Sequence, residues 1–236
     1  MTTDADIKWF IQSLKKPFDM RGSLWKPEEN VRIEQYQNLA RAFFLDLKNS
    51  SVITLYDVLY PPFAPFDHNK IIKLVKINIG IMEKLPKINE FTGDEQFFIL
   101  CNNYLFWVEQ VKSILLPFVE RIYNTIPKTE REKKKIVKPN FRSTLRLVMT
   151  VLINYRNGKY SDLFSDIDVD LRNAIAHPNI DFGETKIMYD NKSISGLDLI
   201  TLIRKMALLF TILYNISTLV FTEETIQELR KRGYTI

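Results

Sequence analysis

Apolar residues recur along most of the chain at three- and four-residue spacing, and short breaks marked by proline or glycine separate the stretches, a pattern that predicts amphipathic helices. Pro27 followed by Glu28 and Glu29 reads as a helix start, and Val31, Tyr36, Leu39, Phe43 and Leu47 carry an apolar stripe to an end near Asn49. Pro61, Pro62 and Pro65 mark a loop, after which Ile71, Ile72, Leu74, Val75, Ile81, Met82 and Leu85 predict a second helix stopped by Pro86. Residues 1–91 are therefore expected to form an N-terminal helical extension.

A second unit, residues 92–236, is expected to begin at Thr92-Gly93-Asp94-Glu95, which has capping-box spacing and leads into a long apolar helix from 97 to about 124. A basic loop follows, then a helix from 141 to 155 carrying Leu145, Val148, Met149, Leu152 and Ile153, ended by the turn pair Asn157-Gly158. A short third helix starts after Ser165-Asp166-Ile167-Asp168. Alternation on either side of Asp190-Asn191 predicts a small β-hairpin within 181–195. Ser195-Gly196-Leu197-Asp198 then caps a last long helix to about Phe221, followed by a charged tail helix to Arg232. The expected fold class is all-α: four helices with a hairpin insertion and an N-terminal extension.

Composition agrees. A hydrophobic fraction of 46% can bury a sizeable core, and seven glycines are few for a turn-rich β fold. The single cysteine, Cys101, excludes an intramolecular disulfide, and the N-terminus lacks a signal-peptide plan, so a reducing, cytoplasmic setting is expected. The most lipid-like stretch, 206–221, contains Thr211, Asn215, Ser217 and Thr218 and reads as a core helix, with no membrane partner expected. The net charge of +5 is concentrated in 128–138, where six Lys or Arg stand against two Glu. Arg131, Lys133, Lys134, Lys135 and Lys138 are candidate RNA contacts, because clustered cations attract polyanions through counterion release.

The chemistry concentrates in the third helix. Ile167, Leu171, Ala174 and Ile175 form its inward stripe. Measured from Leu171 by ideal geometry, Arg172, Asn173, His177 and Asp170 fall at about 100°, 200°, 240° and 260°, the side away from the core. Asn173 stands four residues before His177, within reach of its imidazole, and Pro178 is expected to place His177 at the helix C-terminus. RNA supplies its own nucleophile, the 2′-OH. Strand cleavage then needs a base, an acid and a cation, without metal or cofactor. Arg172 suits the phosphate because its planar fork binds two oxygens, and His177 suits proton transfer. One histidine does not readily serve as both acid and base, so a second copy on a two-fold axis is expected to supply the other. Arg-Asn-x3-His has a chance expectation of roughly 0.007 in a chain of this composition, which makes it more than a coincidence of common residues.

Leu171-Arg172-Asn173-Ala174-Ile175-Ala176-His177-Pro178-Asn179 resembles the R-x4-6-H motif of HEPN domains, with the polar residue after Arg that their ribonucleases favour. The resemblance covers about 92–222. It implies a four-helix, usually dimeric domain acting as a metal-independent endoribonuclease in toxin–antitoxin, phage-defence or RNA-processing systems. Arg172 and His177 would be catalytic, with Asn173 in support; apart from the resemblance, Asp170 is a further supporting candidate, placed to pair with Arg172 across a dimer. The resemblance also implies an antitoxin or regulatory protein as a partner, although Asn179 stands where members paired with nucleotidyltransferase-type antitoxins carry Tyr. Non-catalytic HEPN modules that bind RNA, nucleotide or protein are the alternative.

Blander assignments suit the remaining polar and aromatic residues. Asp166, Asp168 and Asp170 are expected to cap the helix and offset its dipole rather than bind a cation. Cys101 falls in an apolar helix with nothing to activate it. Trp9, Trp25 and Trp107 are expected to pack. No glycine-rich phosphate loop, zinc spacing or dinucleotide fingerprint occurs, and neither metal nor cofactor is expected.

Overall fold

The computed structural model describes residues 30–53, 93–139 and 144–221, with positions 80, 227, 230, 231 and 233. The expected helix around 71–85, the cap at Pro27, Trp9 and Trp25, and most of the tail after 221 lie outside the described residues. The described chain is mainly helical, with one small antiparallel sheet. Among the described residues no helix is long and apolar enough to cross a membrane.

Contacts divide the chain into two compact units, Met1–Pro62 with Thr211–Ile236, and Phe63–Phe210. The division groups the end of the chain with its beginning, whereas the capping-box signal at Thr92 had set the expected boundary at 91/92. In the first unit, helix α1 (Asn30–Asn49) buries Tyr36, Ala40, Phe43, Phe44 and Leu47 at helical spacing. It closes as the Val52 N–H donates to the Leu47 carbonyl at 2.8 Å, with Ser51 in the left-handed region at φ 54°. Lys48 ties it to the chain's end: Nζ donates to the Val220 carbonyl at 3.0 Å and stands 5.1 Å from the Phe221 ring centroid.

The second unit is organised by α2 (Gly93–Thr125), about 50 Å long at 1.5 Å per residue. Its buried positions run from Phe97 through Tyr104, Trp107, Val111 and Leu115 to Ile122, and the Trp107 ring packs on Phe210 with centroids 5.7 Å apart. The segment expected as a basic loop is partly a short helix, α3 (Lys128–Lys133). Lys, Glu and Arg are good helix formers, and Lys128 to Glu132 and Glu130 to Lys134 are i,i+4 ion pairs that support a turn. Helix α4 (Leu145–Asn154) begins later than expected, because Thr144 is extended at ψ 157° and its hydroxyl accepts from the Leu147 N–H. The chain leaves α4 through two 3-10 turns, Tyr155–Gly158 and Ser161–Phe164, and Arg156, Asn157 and Gly158 all have positive φ.

Helix α5 (Val169–Ala176) carries the motif. After it come β1 (Asp181–Phe182), β2 (Lys186–Tyr189) and β3 (Lys192–Ser195), antiparallel in the order β1-β2-β3. The expected hairpin is β2-β3, with Tyr189 opposite Lys192 and a two-residue turn at Asp190 and Asn191, φ 44° and 61°. The short β1, pairing Phe182 with Ile187, makes it a three-stranded sheet. Ile187 and Tyr189 face inward, and the Phe182 ring stacks on Phe97 at 9° between planes. Helix α6 (Gly196–Leu219) follows immediately, Gly196 lying so close to the Phe97 ring that an added Cβ would meet it at 3.4 Å.

The turn is a check on this topology. Glycine adopts positive φ without penalty, so Asn191→Gly is expected to raise unfolding free energy by up to about 1 kcal/mol. Asn191→Val is expected to lower it by about 1–2 kcal/mol, both read from denaturant midpoints.

Candidate functional site

The motif helix is fixed at its start by one carboxylate. Asp168 is the N-cap of α5, its Oδ1 accepting from the Leu171 N–H at 2.9 Å. Its Oδ2 accepts from the Tyr189 hydroxyl at 2.8 Å, which joins the helix to β2. The Tyr104 hydroxyl of α2 donates to the Asp168 carbonyl at 2.9 Å and accepts from its N–H at 3.1 Å. Burial, and then the neighbouring Asp168, push both phenols well above their ordinary range, so both stay protonated donors. Capping by an aspartate was legible in the sequence; the two tyrosines that it gathers were not.

Ile167, Leu171 and Ala174 are buried as their spacing predicts, and Ile175 is partly covered. His177 is the C-cap, exposed, its N–H donating to the Asn173 carbonyl at 3.0 Å, and the Asn179 N–H closes the end on the Ala174 carbonyl at 2.9 Å.

The four polar side chains do not share one solvated face. Arg172 lies on the flank of the buried stripe, where its long side chain reaches α2. Its Nε donates to Oε1 of Glu109 at 2.8 Å, and its Nη2 donates to the same oxygen. Lys112, one turn along α2, places Nζ 3.7 Å from Oε2 of Glu109. The Arg172 and Lys112 side chains are each 17% exposed and that of Glu109 35%, so this is a half-covered cluster rather than a loose surface pair. Asn173 turns its Oδ1 to the Nη1 of Arg172 at 3.2 Å instead of bonding the His177 imidazole. The amide therefore steadies the arginine rather than the imidazole.

Asp170 is already engaged within its own chain. It bonds Nη2 of Arg146 at 2.6 Å and Nζ of Lys192 at 2.8 Å, linking α4, α5 and β3. Asp166 pairs with Lys205 at 3.0 Å. Arg146, Asp166, Asp170 and Lys192 line a cleft of about 570 Å³ between α4 and the start of α5, which neither Arg172 nor His177 enters. Among the described residues no group of three or more His, Cys, Asp or Glu side chains is placed to hold a metal ion. Cys101 is buried, which pushes its thiol up to about 12.

The basic segment is largely self-compensated. Lys134 pairs with Glu130 at 3.2 Å, Lys138 with Glu120 at 2.8 Å, and the Arg131 guanidinium lies 4.5 Å from the Tyr123 ring centroid. Lys133 and Lys135 are exposed and have no carboxylate partner among the described residues. Glu109 and Glu120, the anchors of the two cationic groups, are separated by about 16 Å along α2.

Glu109 is the residue that sequence reasoning missed. Its signal was weak: a carboxylate beside Gln110 and Lys112 on a mainly apolar helix, 63 positions from the arginine that it meets. No family model, no curated protein and no solved structure matches the chain.

Two consequences are measurable. Asp168→Ala removes a cap and orphans the Tyr189 hydroxyl, and is expected to cost about 1–3 kcal/mol, with Tyr189→Phe costing less. The hydrogen bond from Lys192, with the charges of Lys192 and Arg146, holds the Asp170 carboxyl below its ordinary value. A carboxyl depressed on folding contributes stability that is complete above the unfolded value near 4 and is lost as pH falls through the lower folded value. Asp170→Asn is thus expected to flatten the acid limb of a stability-against-pH curve and leave its slope near neutrality unchanged.

Proposed function

We propose that this protein is a metal-independent endoribonuclease of HEPN type that cleaves single-stranded RNA, acting as a homodimer in a toxin, phage-defence or RNA-processing role. The observation that carries the reading is the motif helix itself. It presents an exposed histidine at its C-terminus and, one turn earlier, an arginine whose plane is fixed by Asn173 and Glu109. In the proposed reaction the ribose 2′-oxygen attacks the adjacent phosphorus and the bond from phosphorus to the 5′-oxygen breaks. One His177 accepts the 2′ proton, and the His177 of a second copy donates a proton to the leaving oxygen. Arg172 offsets the charge that gathers on the non-bridging oxygens. The products are a 2′,3′-cyclic phosphate and a free 5′-hydroxyl.

The Arg172–Glu109 ion pair favours a second reading, because it neutralises much of the charge a phosphate would seek. On that reading the domain is a helical module that binds RNA, nucleotide or a protein partner without turnover.

Incubation with single-stranded RNA in EDTA decides between them. The ribonuclease reading expects cleavage with cyclic phosphate ends, and a loss of about 10²-fold or more in both Arg172→Ala and His177→Ala. Full activity in either variant, or tight binding with intact RNA, sinks it. Replacing Lys133 and Lys135 together by Ala is expected to make the dependence of log binding constant on log salt shallower by about 1.4, the value for two phosphates on a single strand.

A further inference from the structure

Resting on the ribonuclease reading, we infer that Glu109 is the positioning residue of the site, setting the plane and rotation of the Arg172 guanidinium so that its terminal N–H groups meet the scissile phosphate. The argument is a count of donors. A guanidinium has five N–H groups. Nε and one hydrogen of Nη2 are committed to Oε1 of Glu109, and one hydrogen of Nη1 to Asn173. One N–H remains on each terminal nitrogen, the pair that can grip two phosphate oxygens at once.

The carboxylate belongs to the middle of a 33-residue helix whose neighbouring positions 107, 108 and 111 are fully buried, so the anchor is rigid while the side chain that it holds is long and flexible. Charge does not oppose this role. Lys112 stands at the other carboxylate oxygen, so Lys112, Glu109 and Arg172 together keep one positive charge for an anion. Asn173 then works with Glu109, its Oδ1 accepting from Nη1 of the same guanidinium.

The test separates geometry from charge. Glu109→Gln keeps an oxygen at the same reach without the charge, and Glu109→Asp keeps the charge but withdraws the oxygen by one methylene. With a mixed-sequence single-stranded RNA in EDTA, E109Q is expected to hold kcat within about threefold of wild type. E109D is expected to lose about tenfold or more in kcat at unchanged KM and unchanged thermal midpoint, since small misplacements of a catalytic cation cost orders of magnitude. An E109D that matches wild type, an E109Q that falls as far as E109D, or either variant faster than wild type, as release of a competing carboxylate would produce, overturns the inference alone. A wild type that leaves the RNA intact overturns the ribonuclease reading and this inference with it.

Discussion

The geometry around the motif depends on how the eight residues of α5 are held, since a helix so short has little stability of its own. Asp168 is the fixed point. Its side chain completes the first turn, its second oxygen holds the sheet through Tyr189, and its backbone is clasped on both sides by Tyr104 of α2. Three elements thus converge on one residue, and each satisfies polar groups that burial would otherwise leave costly. Leu171, wholly buried one turn later, sets the rotation of the helix about its axis. Once start and rotation are set, Arg172 must meet α2 and His177 must emerge at the exposed end.

Electrostatic compensation is the second organising feature. Asp170 draws α4 and β3 together through Arg146 and Lys192, Asp166 is matched by Lys205, and the basic segment is tempered by Glu120, Glu130 and Glu132. Exposed pairs of this kind add little stability each, typically below about 1 kcal/mol. Their larger effect is on where free positive charge remains. The net charge of +5 suggested a broad basic segment, yet among the described residues the pairings leave Arg131, Lys133 and Lys135 as its cations without a carboxylate partner, and Arg131 is turned onto the Tyr123 ring. A polyanion would meet a narrower patch than composition implied.

What could be read from the sequence was what local rules govern. The mainly helical class, the stripe of α5, its aspartate cap, the terminal place of His177 and the turn at Asp190-Asn191 all follow from spacing or turn chemistry within a few residues. The short helix α3 lay hidden because the density of charge reads as a basic loop, although its i,i+4 acid and base spacing carries the helical signal. Strand β1 has two residues, too few for alternation to register. Glu109 and the two tyrosines lie far along the chain from the groups they bind, and no periodicity reports which apolar helix will lie against which flank. For Asn173, helical spacing pointed to His177 four residues on, and the structure bonds it to Arg172 instead. The approach of Arg172 to α2 decided between them.

The spacing of the motif constrains any chemistry built on it. Five residues along an ideal helix separate Arg172 from His177 by about 140° of rotation and about 7.5 Å of rise. The guanidinium accordingly turns toward α2, and His177, beyond the last helical turn, lies exposed at the helix end. A phosphate resting on the terminal N–H groups of Arg172 would approach along the flank of α5, whereas on the ribonuclease reading a proton from His177 would be delivered from its tip. On that reading one chain would supply a phosphate grip and a proton carrier on different sides of the helix. Antiparallel placement of a second α5 would bring its tip to the first helix's flank, which is how a two-fold axis would make the directions meet. The ribonuclease reading thus requires dimerisation for reasons of direction as well as proton count, while a module that only binds needs no such axis.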